Sequence, residues 1–195
     1  MMTIASLASV SALPARRTFS RKDLIPLWKD VLWKIERGIV RSMTWSEEGS
    51  AIATGYWGPG DVVGQPVSCI KGYQLECLSD VEVSMISAQQ WPQSLDAIRT
   101  HAQQTEQLLS IIHSKQVDRR LLQFLFWLGG KFGRPVEGGQ LVEVPLTHQE
   151  IGEAIAISRV TVTRLLQRFE REGVLHRPRR SAFILYDRFT LQPPA

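Results

Sequence analysis

The chain has 195 residues, 44% of them hydrophobic, with a formal charge of +4 and a pI near 9.3. That apolar content suits one large domain or two small ones and excludes a disordered or low-complexity chain. No apolar run approaches a membrane span, and the two cysteines, Cys69 and Cys77, make neither a CxxC pair nor a metal-ligand spacing with histidine.

Residues 1–18 read as a flexible N-terminal tail. Their weakly apolar stretch has no basic residues before it, unlike a secretory signal, so a cytoplasmic chain with reduced thiols is expected. Residues 19–92 read as short strands. VLWKIERGIVRSMTW turns at Gly38, SEEGS (46–50) is a hairpin signal, AIATGYW follows as a strand, and GPGD (58–61) is a tight turn. YQLECLSDVEVSMIS alternates through Leu75, Cys77, Val81, Val83 and Met85. Strands at this spacing predict a small antiparallel barrel or jelly roll.

The texture changes near Pro92. Leu95, Ile98, Ala102, Thr105, Leu109 and Ile112 follow a 3-4-3-4 spacing, which predicts one long helix over 93–116 with a dimerisation seam. LLQFLFWL (121–128) is too apolar for a surface helix and is expected to pack into a core. GRPVEGG (133–139) reads as a loop and LVEVPL as a short strand.

Residues 117–195 carry the functional signal. THQE (147–150) fits a capping box, with Thr147 as N-cap and Glu150 reaching back. After EIGEAIAI, the stretch ISRVTVTRLLQRFEREG (157–173) is amphipathic at about 100° per residue. Val162, Leu165, Leu166 and Phe169 share one face. Arg159, Val160, Thr163, Arg164, Gln167, Arg168 and Arg171 lie opposite, with Ser158 placed to cap the start and Gly173 to end it. Two short helices joined by a tight turn, the second basic, form a helix-turn-helix. VLHRPRRSAFILYD then reads as strand, basic turn, strand: a wing with Arg177, Arg179 and Arg180 at its tip. Residues 156–188 hold eight arginines against three acidic residues, a net +5 that exceeds the whole chain's charge. Arginines on a helix that fits the major groove can fork onto guanine, and wing arginines suit phosphates.

LTHQEIGEAIAISRVTVTRLLQRFEREGVL resembles the C-terminal DNA-binding domain of the CRP/FNR family of bacterial transcription regulators. The order of parts from about residue 24 to 188 is similar too. The resemblance implies an α+β chain: an antiparallel, cyclic-nucleotide-binding-domain-like β-roll, a long dimerisation helix and a winged helix-turn-helix. SRVTVTRLL is most similar to the cyanobacterial global nitrogen regulator branch, which implies a GTA…TAC type palindrome. Carried over, Arg159 and Arg164 match the two guanine-contacting arginines. Val160 stands where the cAMP-receptor branch has a cytosine-reading glutamate, and its apolar side chain suits a thymine methyl instead. Base reading is therefore expected from Arg159, Val160, Thr163 and Arg164. Backbone contacts are expected from Thr147, His148, Gln149, Ser158, Arg168, Arg179 and Arg180. In this family a surface touching RNA polymerase lies partly before the winged helix, which points to GRPVEGG and Arg134.

The sensor half departs from the family. Gly60 and Asp61 keep the turn, but Gln65 replaces the glutamate after Gly64, and no arginine occurs between Arg41 and Arg99. A cyclic phosphate needs such a cation or a nest of N–H donors, and Lys71 alone is a poor substitute. Regulation by cAMP is not expected. For 2-oxoglutarate or another small effector, Arg120 is the one carboxylate partner the sequence offers. No four-cysteine pattern supports an iron–sulfur cluster, and no cofactor, metal or membrane partner is expected. No catalytic motif appears, so an enzyme is not expected. The alternative to a homodimeric DNA-binding regulator is a sensor or adaptor whose winged helix binds a protein.

Overall fold

The computed structural model describes residues 16–179 and 181–186. The N-terminal half is a roll of two antiparallel sheets. One orders β1 (Arg16–Phe19), β7 (Val81–Ser87), β2 (Val31–Arg37) and β5 (Val62–Val63); the other orders β4 (Ala51–Trp57), β3 (Val40–Trp45) and β6 (Gln74–Cys77). The alternation read through Leu75, Cys77, Val81 and Val83 points into the core between them, which Trp33, Ile35, Trp57 and Tyr73 fill. Because β1 pairs along its length with β7, from Arg16↔Ser84 to Phe19↔Val81, the roll begins at residue 16, not 19. Of the tail, residues 1–15 lie outside the described residues.

The helix expected over 93–116 ends at Ile112, and the apolar run 121–128 lies in a second helix. A short 3₁₀ segment (Ala88–Ser94) leads into α1 (Leu95–Ile112), and α2 (Val117–Phe132) follows a turn. The break falls at His113–Gln116, where Gln116 turns extended and the Arg120 guanidinium seizes the Ser114 carbonyl at 2.9–3.0 Å. No glycine or proline marks it. Leu121, Phe124, Leu125 and Leu128 of α2 are buried in the second core, as the apolar run required.

GRPVEGG is not an open loop. It forms a hairpin, β8 (Gly133–Val136) and β9 (Gly139–Val142), turning at Gly138 with φ +73°. This hairpin extends the wing into a sheet ordered β10 (Leu175–Arg179), β11 (Ala182–Tyr186), β9, β8. Between β9 and β10 lie α3 (His148–Ile155) and α4 (Arg159–Arg171). Ile151, Ile155, Val162, Leu165, Leu166 and Phe169 close the core beneath them. Among the described residues, no helix is long and apolar enough to cross a membrane.

Candidate nucleic-acid interface

The capping box forms as the sequence required: Thr147 Oγ1 accepts from the Glu150 amide at 3.1 Å, and Glu150 Oε2 accepts from the Thr147 amide at 2.7 Å. The helix then stops within a single residue. Ala156 takes a left-handed conformation, φ 54° and ψ 51°, which costs an L-residue about 1–2 kcal/mol. Gly152 permits the tight return, because a Cβ there would stand 2.5 Å from the Ile157 carbonyl oxygen. Ser158 caps α4, its hydroxyl accepting from the Thr161 amide at 3.1 Å.

The two faces of α4 separate as the wheel requires. Val162, Leu165, Leu166 and Phe169 are buried, whereas Val160 is 76% exposed. A β-branched apolar side chain held that far into solvent gains nothing from the fold. Arg159, Arg164, Gln167 and Arg171 are exposed beside it. Among the described residues, the Arg159, Arg164 and Arg171 guanidinium groups have no hydrogen-bond or ion-pair partner.

The other arginines are engaged. Arg168 donates to Asp118 of α2 at 2.9 Å and lies 3.6 Å from Glu172. That hydrogen bond holds the Asp118 carboxyl below its ordinary range. Arg177 clasps Glu170 through Nε and Nη2, at 3.1 and 2.9 Å, pinning the wing to α4. Burial raises the Glu170 pKa, and these donors outweigh it and lower it. Arg179 pairs with Glu143, which also takes Arg134 at 3.6 Å. Arg168 and Arg179, expected to face the DNA backbone, are thus held in ion pairs within the domain. Arg180 lies outside the described residues.

Two further assignments change. Thr163 and His148 bond to each other, Oγ1 to Nδ1, at 2.8 Å. Arg120, offered as an effector's carboxylate partner, donates to the main-chain carbonyls of Ser114 and Ile155, the latter at 3.0 Å. It is a brace between the α1–α2 turn and the end of α3. Thr147 and Gln149 remain exposed at the start of α3.

The structure also shows what the sequence hid. Lys22 and Arg41 of the roll converge on Glu76, Glu150 and Glu153: Lys22 on Glu150 at 3.0 Å, Arg41 on Glu76 at 2.6 Å and on Glu153 at 3.4 Å. Burial raises the Glu150 pKa, and hydrogen bonds from Thr147 and Lys22 overcome that and lower it. A second clamp pairs Asp61 with Lys131 at 2.8 Å, with Gln104 bonding Asp61 at 3.2 Å. Burial lowers the Lys131 pKa against the pull of Asp61. The partners are far apart in sequence, 128 residues for Lys22 and Glu150, so no local pattern exposes them. Above the first clamp a cleft of about 1070 Å³ separates the β3–β4 hairpin from the α3–α4 elbow.

Comparison with known proteins accords with this geometry. Residues 119–193 match the Crp-like helix-turn-helix domain. Over 185 residues the chain is 42% identical to the regulatory protein CysR of Synechococcus elongatus, covering 93% of this chain and 89% of that one. The chain belongs to the CRP/FNR family. A CRP/FNR chain is a DNA-binding transcription regulator, and its α3–α4 unit is the DNA-binding motif. The global nitrogen regulator of Synechocystis is 39% identical over 72 residues, 37% of this chain and 32% of that protein. FixK2 of Bradyrhizobium japonicum shares the CRP/FNR fold with a TM-score of 0.74 at 19% identity, over 89% of this chain and 92% of that one.

Proposed function

We propose that this regulator acts in the cytoplasm as a homodimer and reads a two-fold DNA site through Arg159, Val160 and Arg164. The observation that carries this is the division of the arginines. Among the described residues, Arg168, Arg177 and Arg179 are paired with acids, while Arg159 and Arg164 stand exposed and unpaired around an exposed valine. Forked donors flanking an apolar tip suit guanine edges on either side of a thymine methyl. Ser158, Thr147 and Gln149 border that face and suit phosphates, as does Arg171.

The dimer reading rests on α1. Leu95 and Leu109 are 64% and 55% exposed, with Ala102 and Thr105 exposed between them. Ile98 and Ile112 are half-buried against their own chain and would edge the seam. Two copies joined there would set two α4 helices into successive major grooves, about 34 Å apart. The β8–β9 hairpin with Arg134 is the surface offered to RNA polymerase. Chemistry at this protein is binding, not turnover.

Selection of bound duplexes from a randomised pool by the pure protein, without added ligand, tests the reading. Enrichment of a two-fold GTA…TAC-like site supports it. A pool that stays random at physiological salt contradicts it.

A further inference from the structure

His148 opens α3, and its Nδ1 lies 2.8 Å from Thr163 Oγ1 on α4. The same Thr163 oxygen lies 3.0 Å from the main-chain carbonyl of Arg159, one turn back. A carbonyl can only accept, and a hydroxyl has one proton to give. The Thr163 proton therefore goes to Arg159, and the Thr163 oxygen accepts from His148. This fixes the imidazole: Nδ1 carries a proton, in the neutral ring as in the imidazolium.

The placement matters because of where Thr163 stands. At about 100° per residue it sits between Arg159 and Val160 on the exposed face of α4. Its only donor is committed inward, so it has none to offer a base. Apolar packing holds the buried face of α4, and the Arg168–Asp118 and Arg177–Glu170 bonds hold its C-terminal half. A hydrogen bond between defined atoms is directional. The chain His148–Thr163–Arg159 carbonyl therefore ties the first turn of α4, on its DNA side, to the first residue of α3.

We infer that His148 is a positioning residue for base readout: through Thr163 it sets the direction in which Arg159 and Val160 leave the helix. This rests on the proposed role of Arg159, Val160 and Arg164. Bidentate reading of guanine tolerates little misplacement, so a small roll of α4 costs discrimination before it costs general affinity. The pair is a different use of both residues from a phosphate contact by His148 and a base contact by Thr163.

Two measurements test it on the full-length protein. The first needs no DNA. Long-range ¹⁵N–¹H NMR of the free protein is expected to show His148 protonated at Nδ1 above its titration. An Nε2–H tautomer there overturns the inference. The second is a double-mutant cycle of His148→Ala and Thr163→Val, read as the ratio of affinities for the selected site and a site altered under Arg159 or Val160. Each single change is expected to lower that ratio by about three- to tenfold, the worth of one hydrogen bond. The double variant is expected to fall no further, while non-specific affinity and its salt slope stay put. His148→Gln, which keeps an N–H donor, is expected to recover part of the loss. Additive losses overturn the inference. So does a uniform loss on every duplex in His148→Ala with a salt slope smaller by about one, which marks a phosphate contact. If the unmodified protein shows no site preference, the DNA-reading proposal fails and the positioning role with it, whatever the tautomer.

Discussion

Arg159 and Arg168 carry the same side chain on the same helix in opposite surroundings. Arg168 reaches back to Asp118, whereas Arg159 reaches into solvent. Arg159→Ala or Arg164→Ala is expected to cost about 1–3 kcal/mol on the selected site and to relax preference at one base, with little effect on folding. Competition binding on matched and mismatched duplexes measures this. Arg168→Ala should do the reverse: preference holds, and stability drops by less than about 1 kcal/mol, because both partners are about 40% exposed and screened. The elbow offers a second residue-scale test. Ala156→Gly removes left-handed strain but loosens the unfolded chain, for a net gain of roughly 0.5 kcal/mol. Gly152→Ala goes against helix propensity. Its Cβ would press on the Ile157 carbonyl, so a loss of about 2 kcal/mol is expected in denaturant midpoints.

The short helix α3 is where element and clamp coincide. Glu150 is at once the capping-box acid, the acceptor for Lys22 and an ion-pair partner of Arg41 at 3.7 Å. Thr147→Ala removes only the cap and is expected to cost about 1 kcal/mol. Glu150→Gln also strips charge from a buried pair and is expected to cost about 2 kcal/mol. The pH dependence follows from the lowered folded pKa. Above the ordinary carboxyl value of 4.5 the stabilisation is fully present, and it is lost as pH falls through the lower folded value. Unfolding midpoints should therefore decline below about pH 4.5, and decline less in Glu150→Gln. At this scale the sequence was readable where physics is local. The capping box, the two faces of α4 and the alternating strands each need only neighbours within a few residues. GRPVEGG misled because its glycines and proline mark a turn, while its flanks pair with each other and β9 pairs on with the distant β11, from Val142↔Phe183 to Gly139↔Tyr186. The α1–α2 break falls at the end of the helix expected over 93–116, and only the means of holding it, Arg120 on the Ser114 carbonyl, was hidden.

At the scale of the whole molecule, two charged clamps among the described residues tie the winged domain to its own roll, Arg41 and Lys22 on α3 and Asp61 with Lys131 on α2, beside the packing of Ala53, Tyr56 and Leu78 into the helical core. Neither was legible, since charge composition says which residues exist but not which meet. The proposed interface was half legible. The exposure of Arg159, Val160 and Arg164 follows from helical geometry, but the pairing of Arg168 and Arg179 with Asp118 and Glu143 depends on tertiary packing. The proposed dimer seam runs along α1 through the exposed Leu95 and Leu109. Leu109→Glu is expected to yield a monomer in sedimentation equilibrium, with the fold kept and two-fold site binding weakened at least a hundredfold. The central claim is that exposed, unpaired arginines read DNA while paired ones brace the domain. It is tested most directly by fluorescence anisotropy on the selected duplex and a scrambled one, from 50 to 300 mM salt, for the protein and its Arg159→Ala variant. The account predicts a selected-to-scrambled affinity ratio of about a thousandfold or more, a steep loss with salt, and collapse of most of that ratio in the variant. Equal affinity for both duplexes, or a ratio untouched by Arg159→Ala, would contradict it.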